Sequence, residues 1–320
     1  MKDECVSIKI SVKNDIELID EFFKKLDWIE PKEIKMRTIT NGKYKKNIKL
    51  YSSQIKKELL QNQTTIVFEA GEESIDGIRN DENSNNFLLS ATLMLSTFQE
   101  KEKEIYAFIE SIMKSIGIVA SISSLEDIFW QNNTSINMYD YLGKSLNNIP
   151  LRESMIFTGR KEVDVDKLPG HYKLIDGLWY GATWQMWFSS LYFEYVDQKA
   201  INEFKNCYVN ECVSNNCIHI QLYEDIKDYD KKENRERQWE FKRSIAFNEV
   251  VEAAEERYSK QESDPTTEIL TGTFEHGGTR KIVTYLSKNE KIVSKKVATK
   301  FEELEYDSTG KLLYRGIIEV

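Results

Sequence analysis

The sequence predicts an α+β protein made of two sheet-plus-helix lobes followed by a C-terminal antiparallel β-meander. Near the start, Val6, Ile8 and Ile10 alternate with other residues, which is the two-residue period of a strand. Between residues 100 and 116, apolar residues recur at intervals of three and four, which is typical of an amphipathic helix. Short extended runs separated by turn residues fill the chain after Pro265. This order of strands, helices and then strands alone is expected of the α+β class.

The length of the chain predicts more than one domain. Its 320 residues exceed the usual domain length of ~100–200 residues, and 40% hydrophobic residues are enough to form buried cores. We place the boundaries where turn residues cluster. The predicted domains are an N-terminal α+β lobe over 1–145, a second α+β lobe with a tryptophan-rich strand over 146–262, and the β-meander over 263–320.

The first lobe is predicted to contain several strands and three helices, one of them between the strands at 33–39 and 64–68. Asn14 or Asp15 can cap a helix over residues 16–26, and the amphipathic stretch 100–116 predicts another helix. The polar stretch from Glu69 to Asn86 predicts a loop. The strands that we expect cover residues 6–10, 33–39, 64–68, 87–96 and 118–122.

A tryptophan-rich stretch distinguishes the second lobe. From Leu178 to Phe188 every second residue is apolar, so we expect one long strand whose more polar face carries Trp179 and Trp187. Helices are predicted over 199–213 and 248–261, and further strands over 217–223 and 238–247. In the last domain, the runs 268–274, 281–286, 292–296, 299–306 and 312–318 predict the meander.

The charge balance favours a basic protein partner. Fifty-three acidic residues against 44 basic ones give a net charge of −9, which argues against a general polyanion binder. Clustered carboxylates steer a basic partner towards a surface, and amphipathic aromatic residues are frequent in binding hot spots. The partner-binding residues predicted on these grounds are Trp179, Trp187, Glu224, Asp225, Asp228 and Asp230. For the two tryptophans, the competing interpretation is that helices cover both faces and bury the rings.

A basic stretch from Lys43 to Lys57 supports an alternative hypothesis, a nucleic-acid-handling protein. Lysines recur through this stretch, and Tyr44 and Tyr51 could stack on bases. A solvated hairpin and helix face explains the same lysines without a ligand, and we favour that interpretation. Steeply salt-dependent binding would be the sign of a nucleic-acid partner.

The sequence contains none of the catalytic motifs that we considered. A Gly-x-Ser-x-Gly elbow is absent, and the Gly-Lys-Ser at 143–145 cannot form a phosphate-binding loop because Met138 stands where a glycine is required. His171 and His276 lie in predicted loops, where either could act as a general base beside a suitable partner group. The acidic run 224–236 lacks the residue order of a calcium loop. We expect a non-enzymatic protein without a cofactor, and an enzyme centred on either histidine is the third hypothesis.

Cysteine spacing argues against a metal site. The residues with zinc-ligand chemistry are Cys207, Cys212, Cys217 and His219. Zinc sites usually hold a ligand pair two to four residues apart on a tight knuckle, and this spacing does not match it. We therefore expect free thiols that pack as small hydrophobic groups, in a reducing compartment and without a metal.

The sequence predicts a cytoplasmic protein that does not enter the membrane. It opens with Met-Lys-Asp-Glu-Cys, and the apolar run of a secretory signal does not follow. The longest near-apolar stretch, 87–95, is interrupted by Ser90 and Thr92, and it is shorter than the ~20 residues of a membrane-spanning helix.

Two stretches of the chain resemble bacterial polymorphic-toxin immunity proteins, which are encoded beside secreted toxins. The first runs from Asn86 to Gly143 and ends in the Tyr139-Asp-Tyr-Leu-Gly143 element. The second runs from Leu168-Pro-Gly-His171 through the tryptophan-rich strand to Ile218-His-Ile-Gln-Leu-Tyr-Glu224. The resemblance implies a protein of bacterial competition that neutralises a cognate toxin by direct protein–protein contact in the cytoplasm of the producing cell. The C-terminal meander lies outside the resembling stretches.

Overall fold

A computed structural model of the chain shows a mixed α+β fold, which confirms the predicted fold class. The structure describes residues 4–15, 33–38, 44–46, 64–78, 85–154, 159–214, 217–262 and 266–319, together with Glu17, Ile19 and Trp28. Its internal contacts divide the chain into two units, residues 1–252 and residues 253–320. The helix predicted over 16–26 lies almost entirely outside the described residues.

A ten-stranded antiparallel sheet forms the centre of the first unit. The strands of this unit are β1 Cys5–Lys13, β2 Glu33–Thr38, β3 Tyr44–Lys46, β4 Thr64–Ala70, β5 Glu73–Ile78, β6 Asn86–Met94, β7 Gly117–Ser124, β8 Leu151–Glu153, β9 Lys161–Val163, β10 Lys173–Ile175, β11 Leu178–Tyr180, β12 Gln185–Ser189, β13 Val209–Ser214 and β14 Cys217–Gln221. The large sheet has the order β13-β14-β12-β7-β1-β6-β5-β4-β2-β3. The remaining strands form two hairpins, β8 with β9 and β10 with β11.

Helices and short 3-10 turns connect the strands. The helices are α1 Leu95–Met113, α2 Leu125–Asn132, α3 Ile136–Tyr141, α4 Gln198–Asn202, α5 Lys232–Ser244 and α6 Phe247–Glu262. The longest of these, α1, packs on β7, β1, β6 and β12 and buries Phe98, Ile105, Ile109 and Ile112. These residues lie three to four positions apart or at multiples of that spacing, so they form one face of the helix. None of the described helices is both long enough and apolar enough to cross a membrane.

Strands from both predicted lobes belong to the same sheet. β12 pairs with β7, and Trp187 lies opposite Ala120 in that register. β7 and β12 are buried along almost their whole length, and α1 packs on both of them. The structure therefore divides the chain between residues 252 and 253, whereas the sequence predicted boundaries after residues 145 and 262.

The tryptophan-rich stretch is not one strand, contrary to our prediction. It forms β11 in a small hairpin and β12 in the large sheet, and the chain leaves the strand conformation between them. At Gly181 a Cβ atom would lie 2.6 Å from Cζ2 of Trp179 and 2.8 Å from Cβ of Tyr172. Only glycine allows this close approach. The alternating pattern therefore continues through a point where the strand conformation is interrupted.

Two further predictions in the second lobe are wrong. Of the helix predicted over 199–213, only α4 is helical, and the later residues form β13. The strand predicted over 238–247 is part of α5 and the start of α6. The residues that α5 buries include Asn234, Gln238 and Lys242. Because polar side chains occupy the buried face, an apolar period could not reveal this helix. The strand β5 was likewise predicted as part of a loop.

The second unit is the predicted antiparallel meander. Its strands are β15 Thr267–Thr271, β16 Arg280–Leu286, β17 Lys300–Tyr306 and β18 Leu312–Glu319, in that order in the sheet. The predicted run 292–296 forms an isolated bridge from Ile292 to Leu286 and the start of a 3-10 turn. Val283, Tyr285 and Leu286 of β16 are buried.

Candidate partner-binding site

The two tryptophans predicted to contact a partner are core residues. Trp179 is 2% exposed and Trp187 is 1% exposed. The ring of Trp187 stacks on the imidazole of His219 with the ring centroids 4.3 Å apart. Neither indole can reach another protein, so this part of the predicted site is wrong. The competing interpretation of buried rings is the one that the structure shows.

The four predicted acidic residues meet on one short surface segment, Glu224–Asp230, which we call the acidic turn. Its last five residues, Ile226–Asp230, form a 3-10 turn. Glu224, Asp225 and Asp230 are exposed, and Asp228 is half-buried. Asp225 accepts a hydrogen bond from the backbone N–H of Lys227 at 2.9 Å, so this carboxylate also caps the turn.

A buried ion pair between α2 and α5 supports the acidic turn. Arg235 lies on α5, and its Nη2 is 2.7 Å from Oδ1 of Asp127, a residue of α2 that is 2% exposed. The same Nη2 is 3.5 Å from Oδ1 of Asp230. Burial raises the pKa of Asp127, and the positive charge of Arg235 opposes that shift. One guanidinium thus ties the turn to α2 through two carboxylates.

A second contact fixes the backbone of the acidic turn. The side-chain amide of Asn234, in the first turn of α5, donates to the carbonyl oxygen of Asp228 at 2.8 Å. The backbone N–H of Asn234 donates to the carbonyl of Lys231 at 3.0 Å. With Arg235 on one side and Asn234 on the other, the turn is held against α5 before any partner arrives.

A cavity of about 180 Å³ lies directly beside the acidic turn. Its lining residues come from the starts of β1, α1 and α2, the end of β7, and the acidic turn: Glu4, Cys5, Val6, Leu95, Ser124, Leu125, Glu126, Ile226, Lys227 and Tyr229. Nζ of Lys227 is 2.5 Å from Oε2 of Glu4 at its edge. The hydroxyl of Tyr229 hydrogen-bonds Glu126, and burial raises the pKa of that tyrosine.

Sequence reasoning missed the part of this site that lies outside the acidic turn. Glu4 and Glu126 are far from residue 226 along the chain, and no local motif connects them. The one local signal is the pattern Ser124-Leu-Glu126-Asp127, a helix start in which Ser124 Oγ accepts from the N–H of Asp127 at 3.4 Å. That signal predicts where α2 begins. It does not predict which strand ends and which turn lie next to α2.

His171 is buried and hydrogen-bonded. Its Nδ1 donates to Oδ1 of Asn132 at 2.8 Å, because that oxygen also accepts the N–H of Tyr172. Its Nε2 lies 3.4 Å from Oδ1 of Asp166. Burial, followed by the charge of Lys242, lowers the pKa of His171 to about 4. The imidazole is therefore neutral at pH 7 and anchors the loop that precedes β10.

His276 lies in the second unit and is exposed. Its ring stacks on Tyr314 with the centroids 3.8 Å apart, and its backbone N–H donates to Oε2 of Glu305 at 3.1 Å. These contacts fix the hairpin turn between β15 and β16. An enzymatic role for His171 or His276 stays a hypothesis.

The three clustered cysteines differ in exposure. Cys207 is half-buried, Cys212 is exposed on β13 and Cys217 is buried on β14, all as free thiols. Both ring nitrogens of His219 face protein acceptors, Oε1 of Gln185 at 3.0 Å and Oε1 of Glu211 at 3.2 Å. Over the described part of the chain, no three His, Cys, Asp or Glu side chains are grouped to hold a metal ion.

Most of the basic stretch from Lys43 to Lys57 lies outside the described residues. Tyr44–Lys46 forms β3, the edge strand of the large sheet. The nucleic-acid hypothesis therefore stays a prediction.

Comparisons with known proteins add little about function. No protein-family model matches the sequence, and no curated protein is significantly similar to it. Among solved structures, the chain is similar to the Pseudomonas aeruginosa T6SS protein PA0821. The sequence identity is 8% and the TM-score 0.43, over 76% of this chain and 72% of that chain. At this TM-score the similarity decides neither the fold nor the function.

Proposed function

We propose that this protein binds a basic protein partner through the acidic turn and thereby neutralises a cognate bacterial toxin, without catalysing a reaction. The observation that supports this function best is that four carboxylates lie on one surface turn. Contacts with Asn234 and Arg235 of α5 hold this turn in place. A surface that is ordered before binding loses less conformational entropy on association.

The electrostatics of the acidic turn favour fast association. Its carboxylates are Glu224, Asp225, Asp228 and Asp230, and the cations that belong to it or contact it are Lys227, Lys231 and the guanidinium of Arg235. The carboxylates outnumber these cations by one, in a chain whose net charge is −9. Such a surface attracts a basic protein over a distance of about one Debye length, ~10 Å at 0.1 M salt.

The experiment is to mix the purified chain with the product of the gene next to its own. We expect a complex that protects cells from that product. In the double variant Glu224→Lys and Asp230→Lys, the association rate should fall by about tenfold or more at low salt, because steering acts mainly on the association rate. The rate is measured by surface plasmon resonance at ~0.05 M and ~0.5 M salt.

A matched control carries the same change in charge elsewhere. Glu104 on α1 and Glu249 on α6 are both exposed, so Glu104→Lys with Glu249→Lys changes the net charge equally without touching the turn. This control should keep the association rate within about threefold of the unmodified chain, since distant exposed charges are screened. Equal losses in the two double variants, or no complex at all, would refute the proposal.

A further inference from the structure

The cavity beside the acidic turn combines aliphatic walls with a charged edge. The aliphatic side chains that line it belong to Val6, Leu95, Leu125 and Ile226. Glu4, Glu126 and Lys227 belong to the same lining, and Nζ of Lys227 pairs with the carboxylate of Glu4. A group that suits this lining has an apolar stem and a positively charged end, because the stem lies on aliphatic carbon while the charge meets the carboxylates.

The size of the cavity suits one long side chain. A cavity of ~150 Å³ is enough to hold a benzene ring, so about 180 Å³ holds a side chain of arginine or lysine length. A nucleotide or a drug-sized ligand needs a pocket of at least ~300 Å³.

The carboxylate at the edge of the cavity already binds a cation. Nζ of Lys227 lies 2.5 Å from Oε2 of Glu4, and the two side chains are 52% and 60% exposed. An ion pair this exposed is screened by water and contributes little to stability, so Glu4 can exchange Lys227 for another cation at little cost.

The walls of the cavity are ordered independently of a ligand. The N–H of Leu95 donates to the carbonyl of Glu4 at 2.8 Å, which ties the start of α1 to the start of β1. Tyr229 and Glu126 hold each other across the opposite wall. The Asp127–Arg235 ion pair lies behind that wall. A side chain can therefore enter without first ordering the site.

We propose that this cavity receives one arginine side chain of the protein partner. The stem lies along Leu95 and Ile226, and the guanidinium displaces Lys227 from Glu4. It shares the carboxylate of Glu126 with Nε1 of Trp130, at 3.2 Å, and Nζ of Lys144, at 3.6 Å. Arginine suits the site better than lysine because its planar guanidinium presents five donors that can engage two carboxylates together. The identity of the partner rests on the proposed function, but the preference of the cavity is measurable without that partner.

The test uses the full chain labelled with ¹⁵N and the probe N-acetyl-arginine amide. We expect saturable shifts of the backbone amides of Ser124, Leu125 and Ile226. N-acetyl-citrulline amide has nearly the same shape without the charge, and it should bind at least tenfold more weakly. N-acetyl-lysine amide should bind more weakly than the arginine probe. Equal binding of arginine and citrulline, tighter binding of lysine, or shifts confined to other residues would overturn the proposal.

Two substitutions locate the binding carboxylate. Glu4→Gln should weaken binding of the arginine probe by at least fivefold, because it removes a carboxylate from the cavity without shortening the side chain. Glu104→Gln, at an exposed glutamate on α1 outside the cavity, should change binding by less than twofold. Equal effects of the two substitutions would contradict the assignment.

Failure of this inference and failure of the proposed function give different results. If the arginine probe binds the cavity but the Glu224→Lys and Asp230→Lys variant still captures the toxin at the normal rate, the function is wrong and the cavity assignment stands. If the probe does not bind but the variant loses the toxin, the cavity assignment is wrong and the function stands.

Discussion

His171 shows how burial changes the chemistry of a single residue. Sequence reasoning placed it in a loop as a possible general base, but the structure surrounds its ring with protein. Nζ of Lys242 donates to the carbonyl oxygen of His171 at 2.6 Å, and Oε1 of Gln131 accepts the N–H of Gly170 at 2.8 Å. These contacts hold the loop inward, and the resulting desolvation accounts for most of the lowered pKa of the imidazole.

Acid should destabilise the fold through His171. Its pKa is about 4 in the folded chain and about 6.5 when unfolded. At pH values between about 4 and 6.5 the unfolded state binds more protons than the folded state. The contribution of His171 to the free energy of unfolding is therefore fully present above pH ~6.5 and is lost as the pH falls to about 4. At ~1.4 kcal/mol for each pH unit between the two values, the contribution of this residue is at most roughly 3 kcal/mol. His171→Gln keeps a donor for Asn132 Oδ1 and should lose correspondingly less stability between pH 6.5 and 4 in urea unfolding.

The control for this pH effect is His276→Gln. This substitution removes an exposed imidazole and leaves His171 and its contacts in place, so the change expected for His171→Gln should be absent from it. Parallel curves for the unmodified chain and His171→Gln would show that the imidazole does not contribute to acid sensitivity.

The acidic turn depends on the ion pair between α2 and α5. Arg235→Gln leaves Asp127 as a buried carboxylate without its cation, so the free energy of unfolding should fall by ~3–5 kcal/mol. Tryptophan fluorescence in a urea titration measures the change. Adding Asp127→Asn to Arg235→Gln should recover part of the loss, because the uncompensated charge is removed.

An exposed ion pair of the same length is the matched control. Lys231 Nζ lies 2.7 Å from Oδ2 of Asp228, but both groups are accessible to water. Lys231→Gln should therefore lower the free energy of unfolding much less than Arg235→Gln does, because water screens an exposed pair. A loss in Arg235→Gln no larger than that in Lys231→Gln would mean that the buried pair does not support the turn.

Elements were predictable from sequence where apolar side chains occupy one face and polar side chains the other, even where the polar face is also buried, as Ser7 and Ser11 of β1 are. β1, β16 and α1 alternate or recur with the period of their conformation, and the structure contains them close to the predicted bounds. The pattern fails where that contrast is missing. Residues 178–180 and 182–188 are buried on every side, and α5 buries polar side chains, so neither stretch shows the period that its structure would need.

The two units are expected to unfold in separate transitions. All six tryptophans, at positions 28, 130, 179, 184, 187 and 239, precede residue 253, so tryptophan fluorescence reports on the first unit alone. Far-UV circular dichroism reports on both units. In urea, the two signals of the unmodified chain should give curves that do not coincide.

A substitution at a buried residue of the meander should move the fluorescence and dichroism unfolding curves further apart. Val283 is buried in the second unit, and Val283→Asp should shift the meander's part of the dichroism curve to lower urea. The fluorescence curve should not move. Coincident curves in the unmodified chain, or a shift of the fluorescence curve in Val283→Asp, would show one cooperative unit instead of two.

The acidic turn could be predicted from the sequence, but the rest of the candidate site could not, because only the turn is formed by residues that are close along the chain. The four carboxylates of the acidic turn are close in sequence, so a short segment was enough to bring them together. Glu4 and Glu126 reach the cavity only because β1 and β7 are neighbours in the sheet. Pairing between distant strands depends on the whole chain, and no local period records it.

The amino-acid sequence by itself determined the α+β class, the meander, the excess of acid and the acidic segment, since each depends on neighbouring residues or on composition. Tertiary structure alone decided that Trp179 and Trp187 are core residues, that strands on both sides of residue 145 share one sheet, and that a cavity forms beside the acidic turn. The physical reason is that burial and strand pairing are properties of the packed molecule. The same alternating residues can line a surface or fill an interior, and only the elements packed against them determine which.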